Sequence, residues 1–310
     1  MITSVEQASQ AIVERYAQEL GLPDWTPREA LVAPPRTPVE EAVQKACVQM
    51  GFDKVDAAVL ARAWQAQSER QGRFDPHLWP EDQRDFGMLP WPRSEAFAPC
   101  PRQLGLYAVL PDAAWVGRMA RAGVPTVQLR FKSSDTRAIE REVRAAVDAV
   151  RDTPCLLFIN DHWQAAIEAG AYGVHLGQED LGTLSEGDWQ ALRHSGLRLG
   201  LSTHGYAEMI RADRYSPSYI ALGAVFPTTL KRMATAAQGT GRLRRYARLM
   251  DSYSLVAIGG IDAARLPVVA ASPVGAAAVV RAIVAADHPE EAARSLMDQL
   301  AQLQGRPADT

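Results

Sequence analysis

The sequence predicts an α/β fold, a (β/α)8 barrel preceded by a mainly helical N-terminal extension. Three observations predict it. From Leu104 to Val280, eight short apolar runs alternate with helix-like segments, and alternating strands and helices build a parallel sheet. All but the first of these runs end in residues suited to anions, metals or phosphate, and a closed barrel gathers its site at the C-terminal ends of its strands. Before Leu104 the texture differs, because half of the 20 prolines fall in the first hundred residues, between helical patterns. The boundaries read as 1–100 for an extension of unassigned role and 101–304 for the barrel. An open doubly wound sheet is the alternative for the second region, but it would bind ligand at one switch point rather than with groups from nearly every strand.

In the extension, Val5 to Leu20 has helical spacing and stops near Gly21. Pro38 opens a second helix that runs to about Met50, closed by Gly51. Lys54 to Arg70 is a third, with Val55, Val59, Leu60, Ala63 and Trp64 on one side. Phe74 to Cys100 carries Trp79, Phe86, Trp91 and Phe97 among prolines. It is expected to lie extended over another surface, anchored by those aromatics. His77 beside Pro76 reads as a loop residue. The extension as a whole is expected to cover the N-terminal face of the barrel or to mediate association.

The expected strands are Leu104–Leu110, Thr126–Arg130, Cys155–Ile159, Gly173–Leu176, Leu197–Leu201, Tyr219–Phe226, Leu255–Ile258 and Gly275–Val280. Ala113–Ala122 and Thr136–Arg151 are among the helices between them. With 47% hydrophobic and 22% charged residues, the 310-residue chain has a globular composition. No apolar run approaches the roughly 20 residues of a membrane span, and no signal peptide is visible. A net charge of −3 argues against a general nucleic-acid binder. Cys47, Cys100 and Cys155 show no metal or redox spacing and read as reduced thilols of a cytoplasmic protein.

The chemistry lies at the strand ends. Gln128, Arg130 and Lys132 share one parity, while Val127 and Leu129 fill the other, so all three face one side. Arginine suits bidentate phosphate contact and lysine supplies a point charge. Asn160-Asp161 ends one run, and Gly177-Gln178-Glu179-Asp180 follows the next. Either Asp161 or Asp180 alone reads as a helix cap. As a pair on neighbouring strands, beside Arg130 and Lys132, they read as holders of Mg²⁺ bridging to phosphate oxygens. His175, inside a strand, reads as a packed or supporting histidine, and His204 is given no chemical step. Ser202 is a candidate hydrogen-bonding group to substrate or a helix cap. Thr228, Thr229 and Lys231 offer an anion site, and the polar stretch from there to Gly241 suits a lid. Gly259-Gly260-Ile261 and the turn at Val280-Arg281 come from the seventh and eighth strands, where barrels often bind phosphate. Two anion centres in one mouth describe an enzyme that joins a diphosphate donor to a phosphorylated acceptor.

From Leu104 to the C-terminal helix, the chain resembles the thiamine phosphate synthase family. The motifs that carry the likeness are Gln128-Leu129-Arg130-Phe131-Lys132, Ile159-Asn160-Asp161, Gly173 through Asp180, Leu199 through His204, Ala221 through Lys231, and Ala257-Ile258-Gly259-Gly260-Ile261. The resemblance implies a TIM barrel that couples 4-amino-2-methyl-5-hydroxymethylpyrimidine diphosphate to 4-methyl-5-(2-hydroxyethyl)thiazole phosphate, releasing diphosphate. It implies Mg²⁺ at Asp161 and Asp180, and diphosphate against Arg130, Lys132, Asn160 and Lys231. It places the pyrimidine at Gln128 and Ser202, and the thiazole phosphate at Thr228, Gly260 and Val280-Arg281. The implied course is dissociative: diphosphate leaves first and the thiazole nitrogen attacks the resulting cation. Leu230 stands where the family pattern has a second threonine, for which Thr229 could compensate, and Arg281 stands where serine is common. The partners implied are these two small molecules, with no nucleic acid or membrane, and a homo-oligomer is compatible with the sequence. The alternatives are a thiazole tautomerase on the same barrel, which needs fewer of these charges, and a non-catalytic sensor of thiamine precursors.

Overall fold

The structure, a computed structural model, describes residues 4–20, 34–228 and 236–305. Three helices come first: α1 (Val5–Leu20), α2 (Pro38–Gln49) and α3 (Lys54–Gln71). Thr37 and Asp53 cap α2 and α3 by accepting from the backbone N–H groups of Glu40 and Asp56. After α3, the aromatic-bearing strap of residues 74–104 leads into the barrel. Its strands are β1 (Gly105–Leu110), β2 (Thr126–Leu129), β3 (Leu156–Asn160), β4 (Gly173–Leu176), β5 (Arg198–Thr203), β6 (Tyr219–Leu222), β7 (Ser254–Ile258) and β8 (Ala276–Val279). They close in sequence order, all parallel, with β8 pairing β1. Closure rules out the open sheet. The helices are α4 (Ala113–Arg121), α5 (Thr136–Val150), α6 (Trp163–Ala169), α7 (Glu186–His194), α8 (Tyr206–Asp213), α9 (Gly239–Leu249), α10 (Leu266–Ala270), α11 (Arg281–Val284) and α12 (Pro289–Gln304). No helix among the described residues is long and apolar enough to cross a membrane.

The expected β6 is four residues too long. The strand ends at Leu222, and beyond it Val225 and Phe226 donate backbone hydrogen bonds to Ile258 and Gly259 as a loop. An unbroken apolar run did not distinguish strand from the buried loop that follows it.

Strand alternation sorts the side chains. Leu106, Ala108, Val127, Leu129, Leu157, Ile159, Val174, Leu199, Leu201, Ile220 and Ala257 point outward into the layer beneath the helices. Tyr107, Val109, Phe158, Tyr219, Ala221, Val256, Ala276 and Ala278 fill the interior. Glycines make room for two of these rings. A Cβ on Gly173 would lie 2.5 Å from the Phe158 ring, and one on Gly200 would lie 2.1 Å from the Tyr219 ring.

The helices of the extension do not cover the N-terminal face; its strap does lie across part of that face. The helices pack on the flank of the barrel, against α8 and α9, while the strap crosses the starts of β6, β7 and β8: Phe97 N donates to the Ser216 carbonyl at 3.0 Å, Ser254 Oγ donates to the Pro101 carbonyl at 3.1 Å, and Cys100 packs on the interior cluster. The reason is aromatic packing. Tyr16, Phe52, Trp64, Trp79 and Phe86 share one apolar cluster with Tyr206 and Tyr246 of the barrel. Trp79 Nε1 donates to Tyr206 Oη at 3.0 Å, and the Phe86 ring stacks on Tyr206 at 5.5 Å. Arg93 is clasped by Asp213 at 2.7 Å, with both side chains under 10% exposed, so neither charge is left unpaired in the interior. Val55, expected on the buried side of α3, is 50% exposed. In that first turn it is Asp56 that faces the barrel, 5% exposed, accepting from the backbone N–H groups of Tyr206 and Ala207. The three cysteines are free thiols, and Cys47 and Cys155 are buried.

Burial pushes the Asp56 carboxyl up to about 7, reinforced by Asp53 and opposed by the two N–H groups and by Arg242. The folded chain therefore holds this proton up to a pH near 7, whereas an unfolded aspartate releases it at about 4. Asp56 thus contributes stability that is fully present below the unfolded value and is lost as the pH rises through 7, with a slope of up to about 1.4 kcal/mol per pH unit. Urea denaturation from pH 5 to 8 should show the stability of the wild type relative to Asp56→Asn falling as the pH rises. Parallel profiles for the two proteins would contradict this.

Candidate active site

At the C-terminal end of the barrel a cavity of about 590 Å³ is lined from β1 through β8 and by the loops that follow them. Its floor is a chain of hydrogen bonds across the interior. Gln128 Nε2 donates to Tyr107 Oη at 3.1 Å, and Tyr107 and Tyr219 share a hydroxyl contact of 2.8 Å. Tyr219 Oη meets His175 Nδ1 at 2.7 Å, and His175 Nε2 meets Ser202 Oγ at 2.7 Å. Strand parity brings these side chains inward from β1, β2, β4, β5 and β6. Gln128, His175 and both tyrosines are buried, and buried polar groups need partners. With the Gln128 amide so placed, one sense of donation gives both tyrosine hydroxyls an acceptor: Gln128 to Tyr107, Tyr107 to Tyr219, and Tyr219 to His175 Nδ1. The imidazole then carries its hydrogen on Nε2 and donates to Ser202. The Ser202 hydroxyl hydrogen and the Gln128 carbonyl are left for the cavity. Burial pushes both tyrosine hydroxyls up, which keeps them protonated.

One side of the mouth is charged. Arg130 follows β2 and is fixed by its backbone N–H, which donates to the Leu110 carbonyl at 2.7 Å. Lys132 Nζ meets Asp161 Oδ2 at 2.5 Å. Asp161 itself has φ 67°, a left-handed conformation uncommon outside glycine, held by its N–H on the His175 carbonyl at 3.0 Å. Asn160 ends β3 beside it. Asp180 begins the short turn after β4, and its Oδ2 accepts from Gly177 N at 2.7 Å. Burial raises the Asp180 carboxyl, the Gly177 N–H opposes this, and the negative charges of Asp161 and Glu179 raise it further. Asp161 and Asp180 therefore lie within electrostatic reach of each other.

The opposite side is built from backbone and arginine. Gly259 and Gly260 both have positive φ, 107° and 64°. A Cβ on Gly260 would lie 2.7 Å from the Pro227 carbonyl oxygen, so only glycine allows the loops after β6 and β7 to meet this closely. Arg265 donates to the Gly260 carbonyl at 2.6 Å and stacks over the Phe226 ring at 4.9 Å. Thr228, Val280 and Arg281 complete this side of the cavity.

Of the residues singled out in the sequence, Gln128, Arg130, Lys132, Asn160, Asp161, Ser202, Thr228, Gly260, Val280 and Arg281 line the one cavity. Asp180 sits behind Gly177 rather than on the cavity wall. Thr229, Leu230 and Lys231, and with them residues 232–235 of the expected lid, lie outside the described residues; the rest of that stretch leads into α9, where Gly241 is buried. No group of three or more acidic, histidine or cysteine side chains poised for a metal occurs among the described residues. The donor set present, two like-charged carboxylates beside two cations, fits a hard divalent ion that takes its remaining oxygens from a phosphate ligand. Tyr107, Tyr219, Asp262 and Arg265 were not singled out. The tyrosines read as strand apolars, and an arginine five residues past a Gly-Gly pair carries no signal of its own. His204 lines the cavity and pairs with Glu208 at 2.7 Å.

The thiamine monophosphate synthase family profile matches residues 106–283. The thiamine-phosphate synthase of Neisseria meningitidis serogroup B is 51% identical over 194 residues, 63% of this chain and 93% of the relative. That of Klebsiella pneumoniae is 49% identical over 210 residues, 67% of this chain and 96% of the relative. Among solved structures, the thiamine phosphate pyrophosphorylase of Pyrococcus furiosus superposes with a TM-score of 0.57 at 25% identity, over 66% of this chain and 99% of that one.

Tyr219→Phe removes the centre of the buried chain and strands the Tyr107 hydroxyl hydrogen and one imidazole nitrogen. Leaving buried polar groups unpaired costs about 1–3 kcal/mol. Urea unfolding should show a loss of that size, and unchanged stability would mean that the floor is not a connected network.

Proposed function

We propose a reaction course from one premise: the chain belongs to the thiamine monophosphate synthase family. It is a transferase that synthesises thiamine phosphate. The substrates of the proposed reaction are 4-amino-2-methyl-5-hydroxymethylpyrimidine diphosphate and 4-methyl-5-(2-hydroxyethyl)thiazole phosphate. The barrel, 101–304, carries the chemistry, with residues 1–100 as an accessory region of a cytoplasmic enzyme.

One observation carries this reading: a single cavity has a carboxylate–cation cluster on one side and a glycine–arginine wall on the other, joined by a buried polar floor. In our reading the diphosphate lies against Arg130, Lys132, Asn160 and Lys231. Asp161 and Asp180 would hold Mg²⁺, which when bound neutralises charge on the leaving diphosphate. The pyrimidine lies over the floor, its amino group donating to the Gln128 carbonyl and a ring nitrogen accepting from Ser202. Thr228, Thr229, Gly260, Val280 and Arg281 take the thiazole phosphate, with the Arg281 guanidinium able to add a charge that serine would not.

The bond between the pyrimidine methylene carbon and the diphosphate oxygen breaks first, and diphosphate keeps the electron pair. The aminopyrimidine ring stabilises the cation left behind, and the thiazole nitrogen then forms the new carbon–nitrogen bond. No side chain must act as nucleophile or general base. Lys132, paired with Asp161 at 2.5 Å in the substrate-free chain, would turn to the incoming phosphate. The protein's work is to stabilise the leaving group, orient both rings and exclude water.

Removing one preorganised charge at a departing anion typically costs ~10²–10³ in rate. Asp161→Ala and Lys132→Ala should each lose turnover on that scale, with circular dichroism unchanged, when diphosphate release is followed in the presence of Mg²⁺ and both substrates. Turnover at the wild-type rate in either variant would overturn the assignment. Tight binding of both substrates by the wild type, without turnover, would identify a sensor instead.

A further inference from the structure

Helix α8 begins without an N-cap side chain of its own, although its Glu208 reaches back to accept from the His204 N–H at 2.8 Å. Gly205, at its N-cap position, has no side chain to offer the first backbone N–H groups. The partner comes from the extension: Asp56 Oδ2 accepts from Tyr206 N at 3.0 Å, and Asp56 Oδ1 accepts from Ala207 N at 2.9 Å. A Cβ at Gly205 would stand 2.1 Å from Asp56 Oδ2, so the bare glycine is what admits the carboxylate. The residues just before this cap, Ser202 to His204, are the exit of β5 and line the cavity. Ser202 there carries the hydroxyl end of the buried polar chain.

The same exit is tied to the neighbouring loop, and that loop is also held by the extension. The Gln238 side chain donates to the carbonyls of His204 and Gly223, the latter at 2.6 Å. Gln238 leads directly into α9. There Arg245 pairs with Glu19 at 2.6 Å and with Glu81 at 2.8 Å. Arg242 donates to the Met50 carbonyl at 2.9 Å and lies 3.9 Å over the Phe52 ring. A Cβ at Gly241 would be 2.0 Å from the Glu19 carbonyl oxygen. The extension thus holds α8 by its N-terminus and α9 along its side, the two helices that follow β5 and β6.

We propose that the N-terminal extension is a working part of the active site, in which Asp56 is a positioning residue that caps α8 and thereby fixes the exit of β5 and the Ser202 hydroxyl. The consequence is one-sided. Ser202 belongs to the donor side of the cavity, whereas Gly260 and Arg281 follow β7 and β8, away from α8. Loss of the cap frays the first turn of α8 and loosens the pyrimidine contact while leaving the thiazole phosphate side intact. The proposal rests on the assignment of Ser202 to the pyrimidine diphosphate, and its test separates the two.

The test compares full-length wild type, Asp56→Ala and Asp56→Asn at a temperature where all three are folded. Asparagine is isosteric and retains one acceptor oxygen. Losing an N-cap on this scale raises KM for the pyrimidine diphosphate about 5- to 10-fold in Asp56→Ala, with KM for the thiazole phosphate unchanged and Asp56→Asn in between. In substrate-free protein, amide exchange over residues 203–209 rises in Asp56→Ala. Unaltered exchange there overturns the positioning claim whatever the kinetics show. Faster exchange with both KM values unchanged, or raised equally, overturns the link to the active site. A wild type that couples neither substrate refutes the assigned reaction instead, and the exchange result still decides whether Asp56 positions β5.

Discussion

Closure of the sheet is the constraint on which the rest of the molecule depends. Once β8 pairs β1, each strand has one inward face, and the alternation of side chains decides which residues share the interior. That single rule places Gln128, His175, Ser202, Tyr107 and Tyr219 together although they come from five strands. It also demands small residues opposite large ones. Gly200 yields its volume to the Tyr219 ring and Gly173 yields to Phe158, so one aromatic of the floor and one beneath it depend on two positions without side chains.

The floor and the mouth solve different problems. Below, no charge is required, and the polar groups satisfy one another in a chain whose two ends face the ligand. A connected network of this kind fixes which end presents an acceptor and which a donor, because reversing one member strands another. Above, like charges are brought near each other at Asp161 and Asp180, an arrangement that is unfavourable alone and is resolved by Lys132 or by a bound cation. The mouth is thus built around what it binds, while the floor is internally paired except at the two ends that face the ligand.

The barrel was legible because its signals are local. Parity along Gln128, Arg130 and Lys132, the acidic strand ends and the Gly259-Gly260 pair can each be read within a few residues. What escaped was set by distant partners. Tyr107 and Tyr219 look like ordinary apolar strand positions until the opposite strand is known. Leu222 ends its strand inside an apolar run that continues to Phe226, because the following loop is equally buried. Arg265 gains its place only from the Gly260 carbonyl and the Phe226 ring. The placement of the extension was least legible of all. Asp56 reads as one polar residue on a helix, and the N–H groups that give it meaning lie about 150 residues further along. Val59, Leu60, Ala63 and Trp64 of that helix are buried as expected, and only Val55 of the expected side is exposed, its place in the first turn taken by Asp56.

The central claim is that the acidic and basic residues after β2, β3 and β4 form the seat of the leaving diphosphate. A crystal structure of the chain with Mg²⁺ and the pyrimidine diphosphate tests it most directly. The account predicts diphosphate density against Arg130 and Lys132, with the ion beside Asp161 and Asp180. Diphosphate bound instead at Gly260 and Arg281, with no ion near either aspartate, would contradict it.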